Sequence, residues 1–307
     1  MPFAKYTITG ASGWLGREFI SHLISSKTIS SFEEVKLYSS KRRILEFPGF
    51  GATTSESFLE TKKSEFAETE HFIHLAFLTR DLLAKYGAKE FIEVNKKLTS
   101  QAIDFIATVK PSCVSNVSSG AVFSRETGNL ETDIDKNPYG YGKLEEEKLL
   151  KEVCQRHSIN LSIGRLWGAT GSYMPVNRAY AISDLIYMGF LEKKLVIKAK
   201  NLVFRRYCDA GEFMNVLAYA ATKERFTLFD SGGPKVEIQD LASFISKEIG
   251  VSNIERQIDP TIPIDDYYPR SQDYEKLLNL MGLLPEGLET QVRKTVEGHW
   301  SQLSKVM

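Results

Sequence analysis

Tyr139-Gly140-Tyr141-Gly142-Lys143 sets a phenol and an ammonium four residues apart. On a helix that spacing puts both side chains on one face, where they can address one bound molecule. A phenol ionises near 10, too high for easy proton transfer at neutral pH. A nearby ammonium favours the phenolate and brings the group toward the useful range for acid–base work. Upstream, Val117-Ser118-Ser119-Gly120-Ala121-Val122-Phe123 offers hydroxyls able to polarise a substrate oxygen or relay its proton. Taken alone, YxxxK is a common helix face, and two serines can simply end a strand. A third feature gives them weight: Thr9-Gly10-Ala11-Ser12-Gly13-Trp14-Leu15-Gly16 has GxxGxxG spacing between a strand-like and a helix-like segment. Glycine permits the tight turn and lets a pyrophosphate approach the backbone, while the helix start offers free N–H groups. In that strand–turn–helix setting the loop reads as a dinucleotide site.

These residues must be held by regular elements. Strands are expected at residues 6–9, 35–38, 71–76, 113–117 and 161–166, and helices at residues 14–25, 91–109 and 139–156. Such alternation predicts an α/β fold, a doubly wound parallel sheet joined by right-handed crossovers. Beyond about residue 167 the rhythm loosens. Residues 259–270 carry Pro260, Pro263, Pro269 and the Tyr267-Tyr268 pair, and read as irregular, with helices after them near residues 272–281 and 288–302. The expected organisation is a cofactor domain at 1–167 and a smaller, partly discontinuous substrate-binding subdomain at 168–307, some of it returning to the sheet.

Composition excludes several function classes. Lys+Arg and Asp+Glu are both 39, so the net charge is zero and nothing draws the chain to nucleic acid or an anionic membrane. No apolar run has the length of a membrane helix. Residues 1–6 lead straight into a strand, without a signal peptide. Cys113, Cys154 and Cys208 are too far apart for a metal motif or a disulfide framework, so a reducing cytoplasm is expected. His71 and His74 lie on a strand and read as buried histidines rather than metal ligands; no metal site is expected.

The second strand ends in Ser39-Ser40-Lys41-Arg42-Arg43, without the acid that would bond a ribose 2′-hydroxyl. No carboxylate follows until Glu46. Hydroxyls and cations suit a 2′-phosphate, so NADP is expected over NAD, a solvated basic loop being the plain alternative.

Together, TGASGWLG, the Ser118-Ser119 segment and YxxxK resemble the extended short-chain dehydrogenase/reductases, in the branch acting on nucleotide-linked sugars. That resemblance implies Ser119, Tyr139 and Lys143 as the catalytic set, with Ser118 one register away. It implies cofactor contacts from Gly10, Ser12, Gly13, Trp14, Leu15 and Gly16, from Leu75 and Ala76 of His74-Leu75-Ala76, from Asn95, and from Tyr139 and Lys143. Arg165 to Gly171 resembles the family's RxxNxxG, with Gly168 in place of the Asn that often contacts the sugar nucleotide. Arg205 to Glu212 resembles RDxxxVxD, with Arg206 and Glu212 in place of the two Asp. Arg205 would then grip a diphosphate, a structural salt bridge being the alternative, and Arg270 would lie in the substrate region. A homodimer through two helices of the cofactor domain is also implied.

The expected activity is NADP(H)-dependent reduction of a keto group on a nucleotide-linked deoxysugar. The alternatives are an epimerase that retains its NAD(P) and a non-catalytic NADP-binding protein. A 4,6-dehydratase is disfavoured, because Gly120 and Ala121 follow Ser119 where those enzymes carry acids.

Overall fold

β1 (Ala4–Thr9) runs into the glycine turn, from which α1 (Trp14–Ser25) emerges. The protein is described here from a computed structural model covering residues 4–176 and 179–304; part of the expected lead into β1, residues 1–3, lies outside that range. β2 (Val35–Ser39), β3 (Arg43–Phe47), β4 (Gly51–Ser57) and β5 (Thr69–His74) follow. Next come α2 (Leu83–Val109), β6 (Cys113–Ser119), α3 (Pro138–His157) and β7 (Asn160–Leu166). The later elements are β8 (Ala169–Thr170), α4 (Ala181–Leu191), β9 (Leu195–Ile197), β10 (Phe204–Arg206), β11 (Cys208–Asp209), α5 (Ala210–Lys223), β12 (Phe226–Asp230), β13 (Lys235–Glu237), α6 (Ile238–Ile249), β14 (Ile254–Arg256), α7 (Asp273–Leu280) and α8 (Leu288–Leu303).

The chain divides into two units, residues 1–166 with 214–229, and residues 167–213 with 230–307. The first holds an eight-stranded sheet in the order β12-β7-β6-β5-β1-β2-β4-β3. From β7 through β6, β5, β1 and β2 to β4 every pairing is parallel, with Thr9 level with His74 and His74 level with Asn116. This is the doubly wound α/β architecture that the alternation of strands and helices implies. Phe72 and Phe105 stack at 4.3 Å between β5 and α2, in a core with Phe58, Ile106, Leu150 and Leu161.

Three features depart from the expected layout. β3 and β4 form an antiparallel hairpin that continues the sheet past β2. Arg43 is therefore the first residue of a strand and not the end of a loop. The third strand ends at His74, and Leu75 and Ala76 begin the loop after it. α2 starts earlier than residue 91, because a helical turn from Leu83 precedes a kink at Gly87, φ +72°, after which the long helix runs to Val109.

The second unit is built from α4, α6, α7 and α8 with three two-stranded sheets, β10-β13, β11-β8 and β14-β9. Buried polar bonds fix α8 within it. Gln291 meets Thr170 at 2.9 Å, Thr295 accepts from the Gly171 N–H, and His299 meets Ser183 at 2.8 Å. All three cysteines are buried free thiols, on β6, α3 and β11. Burial pushes Cys113 and Cys154 up to about 12.

Candidate active site

Gly10 ends β1 at φ +69°, and a side chain there would meet the Leu75 backbone at 2.9 Å. Only glycine fits both the conformation and the approach. Gly13 then forms the N-cap of α1 without any side-chain cap, so the first turn of α1 keeps N–H groups for an anion. Ser12, Trp14 and Leu15 lie half-buried along this turn. Asn95 of α2 accepts a hydrogen bond from the Leu78 N–H at 2.7 Å and thereby pins the loop after β5; its Nδ2 is buried without a partner. A glycine cradle, an uncapped helix start and a spare buried donor fit a dinucleotide.

Asn137 caps α3 by accepting from the Gly140 N–H at 2.9 Å, and Pro138 occupies the first turn. This start, the arrangement that Asn and Pro favour, sets Tyr139 and Lys143 on the face toward the end of β6. The neighbouring serines point apart, as strand alternation requires. Ser118 donates to Glu147, which also takes both arms of Arg165 at 2.9 and 2.7 Å. Ser119 accepts from the Ala121 N–H at 3.1 Å and lies close enough to Tyr139 to favour its ionised form. Ser119, Tyr139 and Lys143 are thus brought together, and Ser118 is turned away.

Burial pushes the Tyr139 phenol up to about 12; the Ser119 hydroxyl opposes this and the Glu146 charge adds to it. Lys143 is buried. Its ammonium donates to the Val117 carbonyl and to Glu146, each at 2.9 Å, and lies 3.9 Å from the centre of the Phe77 ring. Phe77 also meets Tyr139 edge to face at 5.9 Å. Glu146 and Phe77 had no place in the sequence reading. Glu146 sits inside Glu145-Glu146-Glu147, which looks like a solvated acidic run, although its spacing from Lys143 marked the shared face.

At the end of β2 the Ser39 hydroxyl donates to Ser55 at 2.8 Å and is buried, while Ser40, Lys41, Arg42 and Arg43 are exposed. A carboxylate is present here after all. Glu56 of β4 lies level with Tyr38 and pairs with Arg42 at 3.6 Å. The hairpin delivers this acid from a neighbouring strand, where reading along the chain from β2 cannot find it.

In the second unit, Arg205 makes a two-pronged ion pair with Asp265 at 3.0 and 2.7 Å. Arg206 pairs with Glu275 at 2.8 Å, and Glu212 accepts from the Tyr274 hydroxyl at 2.6 Å. Arg270 is exposed, paired with Asp266 and stacked on Tyr268. Gly168 lies so close to this segment that a Cβ would meet the Arg206 carbonyl oxygen at 2.4 Å, so no asparagine fits there. Among the described residues no cluster of His, Cys, Asp and Glu could hold a metal, and no helix is long and apolar enough to cross a membrane.

The chain is similar to known proteins along nearly its whole length. UDP-glucuronic acid decarboxylase 6 of Arabidopsis thaliana is 19% identical over 295 residues, 92% of this chain and 84% of that protein. The UDP-N-acetylglucosamine 4-epimerase of Methanobrevibacter ruminantium M1, solved with UDP-N-acetylmuramic acid, shares the fold with a TM-score of 0.75 at 17% identity, over 98% of this chain and 100% of that one. MoeE5, solved with UDP-glucose and NAD, gives a TM-score of 0.73 at 17% identity, over 98% and 100%. Residues 6–227 match the model of the NAD dependent epimerase/dehydratase family. With a glycine turn, a Ser/Tyr/Lys cluster and a family match over most of its length, the chain belongs to the NAD-dependent epimerase/dehydratase family, enzymes of the extended short-chain dehydrogenase/reductase branch.

Proposed function

We propose that the chain reduces a keto group on a nucleotide-linked deoxysugar, with NADPH as the reductant. The observation that carries this reading is the convergence of Ser119, Tyr139 and Lys143 at the end of β6. A bound nicotinamide supplies the hydride that reaches the carbonyl carbon. Tyr139 gives its phenolic proton to the oxygen that becomes an alkoxide, and burial keeps that phenol protonated until then. Ser119 steadies the same oxygen by hydrogen bonding. Lys143 holds the nicotinamide ribose and lends its charge to the site. Gly10, Ser12, Gly13, Trp14, Leu15 and Gly16 take the pyrophosphate, and Leu75, Ala76 and Asn95 line the cofactor. Arg205 and Arg270 take the substrate diphosphate, Arg205 by exchanging its contact with Asp265. The nucleotide-sugar class is supported by the UDP-linked sugars bound to the structural relatives. The choice of NADPH is supported by the exposed cations Lys41, Arg42 and Arg43.

A second reading, an epimerase that retains NAD, is favoured by Glu56 beside Arg42 and by the NAD held in a structural relative. It uses the same three residues. The test combines mass spectrometry of nucleotides released from native protein with two assays. One follows NADPH oxidation by a UDP-4-keto-6-deoxyhexose, the other interconversion of UDP-glucose and UDP-galactose. Exchangeable cofactor with stoichiometric NADPH oxidation supports reduction. NAD retained through purification, with interconversion and no net oxidation, overturns it in favour of the epimerase.

A further inference from the structure

Tyr139, Lys143 and Glu146 follow one another on α3 at spacings of four and three, so they share a face. The Glu146 side chain is fully buried. Its Oε2 accepts from the Lys143 ammonium at 2.9 Å, and its Oε1 lies 3.3 Å from His74 Nε2. Oε1 and Nε2 are both buried without a hydrogen-bond partner, so they face each other as a close contact and not as an aligned hydrogen bond. Burying a carboxylate is costly unless charges and donors meet it.

Hydrogen-bond accounting fixes what His74 presents to it. The Thr9 hydroxyl accepts from the backbone N–H groups of Leu75 at 3.0 Å and Ala76 at 3.2 Å. Those two bonds use both lone pairs, which leaves the hydroxyl hydrogen for His74 Nδ1 at 2.8 Å. Nδ1 therefore accepts, and Nε2 carries the ring hydrogen toward Glu146. Hydrogen bonds join the loop that packs on Gly10 to Thr9 and His74, a 3.3 Å contact joins His74 to Glu146, and a further hydrogen bond joins Glu146 to Lys143.

The groups facing Lys143 come from four elements. α3 supplies Glu146, with His74 of β5 behind it, and β6 supplies the Val117 carbonyl; Tyr139 and Ser119 lie in the same site. The loop after β5 supplies the Phe77 ring, with Arg80 and Asp81 acting on Tyr139. Glu147, next on α3, is taken up by Arg165 and Ser118. Among the described residues, Glu146 is the carboxylate in ion-pair contact with Lys143.

We propose that Glu146, oriented by His74, is a positioning residue for Lys143: it fixes the buried ammonium against β6 and keeps it charged, ready for the nicotinamide ribose. This rests on the cofactor reading above and deepens it. Glu146→Gln preserves shape but removes the counter-charge. Lys143 then becomes a buried charge without an anion, an arrangement that burial disfavours and that favours the uncharged amine, most at high pH.

The experiment is calorimetric binding of NADPH and NADH from about pH 6 to pH 9, a span below the ordinary lysine pKa. The proteins are the unaltered chain, Glu146→Gln, Glu146→Asp, Lys143→Met and the Lys143→Met/Glu146→Gln double variant. The unaltered chain should bind with little pH dependence. Glu146→Gln should lose roughly tenfold in affinity from the low to the high end of that range. In the Lys143→Met background the same change should cost nothing further. Glu146→Asp keeps the charge but draws it back by one methylene; it should bind several-fold more weakly without a new pH slope, and it carries the test if the glutamine variant does not fold. A folded Glu146→Gln with unaltered affinity and pH response, a Glu146→Asp that binds as tightly as the unaltered chain, or an equal further loss in the Lys143→Met background would overturn the proposal. A merely structural ion pair would lower the melting temperature and leave the pH response flat. Failure of the unaltered chain to bind either nucleotide would overturn the cofactor reading as well, which separates the two failures.

Discussion

At the scale of single residues the proposed chemistry rests on one hydroxyl. Tyr139→Phe keeps a ring against Phe77 and leaves Lys143 with its partners, so the fold and cofactor affinity should persist. The rate of single-turnover hydride transfer should drop about 10²–10⁴-fold, the usual worth of a positioned acid. A variant that binds cofactor and turns over at the original rate would remove Tyr139 from the mechanism. Ser119→Ala should slow the same step with little change in cofactor binding, whereas Ser118→Ala should act on stability through Glu147 and Arg165. Tyr139 and Lys143 were legible because a short helical spacing announces a shared face. Glu146 obeys the same spacing and was hidden by its acidic neighbours. His74 was legible as a buried histidine, but its hydrogen-bonded link to Thr9 joins residues far apart in the chain, which no local pattern records.

At the scale of elements, the proposed choice of NADPH rests on the β2–β3 connection. Arg42 and Arg43 stand exposed beyond Ser39 with Glu56 alongside. NADPH should bind at least about tenfold tighter than NADH, a difference of about 1.4 kcal/mol. Arg42→Ala and Arg43→Ala should erode that preference without abolishing binding, and Glu56→Gln should enlarge it by removing repulsion of a 2′-phosphate. Equal titrations for the two nucleotides would refute the preference. The β3–β4 hairpin escaped the sequence reading because β3 is only five residues long and β4, rich in Ser, Thr and Gly, lacks a strong apolar alternation. The helix core of α1 was readable because amphipathic spacing marks it, and that of α3 because it falls in the strand–helix alternation. Gly168 illustrates the opposite limit: the sequence shows that the family's Asn is missing, but only the carbonyl of Arg206 explains why.

For the molecule as a whole, the parallel sheet was legible because strands and helices alternate through β7. The later part was not, since its short strands pair with partners remote in sequence. Two buried histidines give the chain a defined acid response. Burial lowers His71 to about 3 and His299 to about 4, the latter opposed by the Thr295 carbonyl. The unfolded chain takes up these protons near 6.5 and the folded chain refuses them. Their contribution to stability is therefore complete above pH 6.5 and drains away as pH falls toward 4 and then 3. The loss should approach about 1.4 kcal/mol per pH unit for each histidine. Melting temperatures between about pH 7 and pH 4.5 should fall accordingly, and His71→Gln should flatten the decline. A melting temperature indifferent to pH in that interval would contradict these assignments.

The buried thiols have a further consequence. Cys113 and Cys154 are held protonated out of reach of reagents, and burial likewise raises Cys208 well above its ordinary value. A soluble alkylating agent can meet them only during transient opening. Cys113 and Cys154 report on the unit that carries the eight-stranded sheet, and Cys208 on the other. The chain thus carries native chronometers in both of its units, and the order in which the three sites become labelled records which unit loosens first.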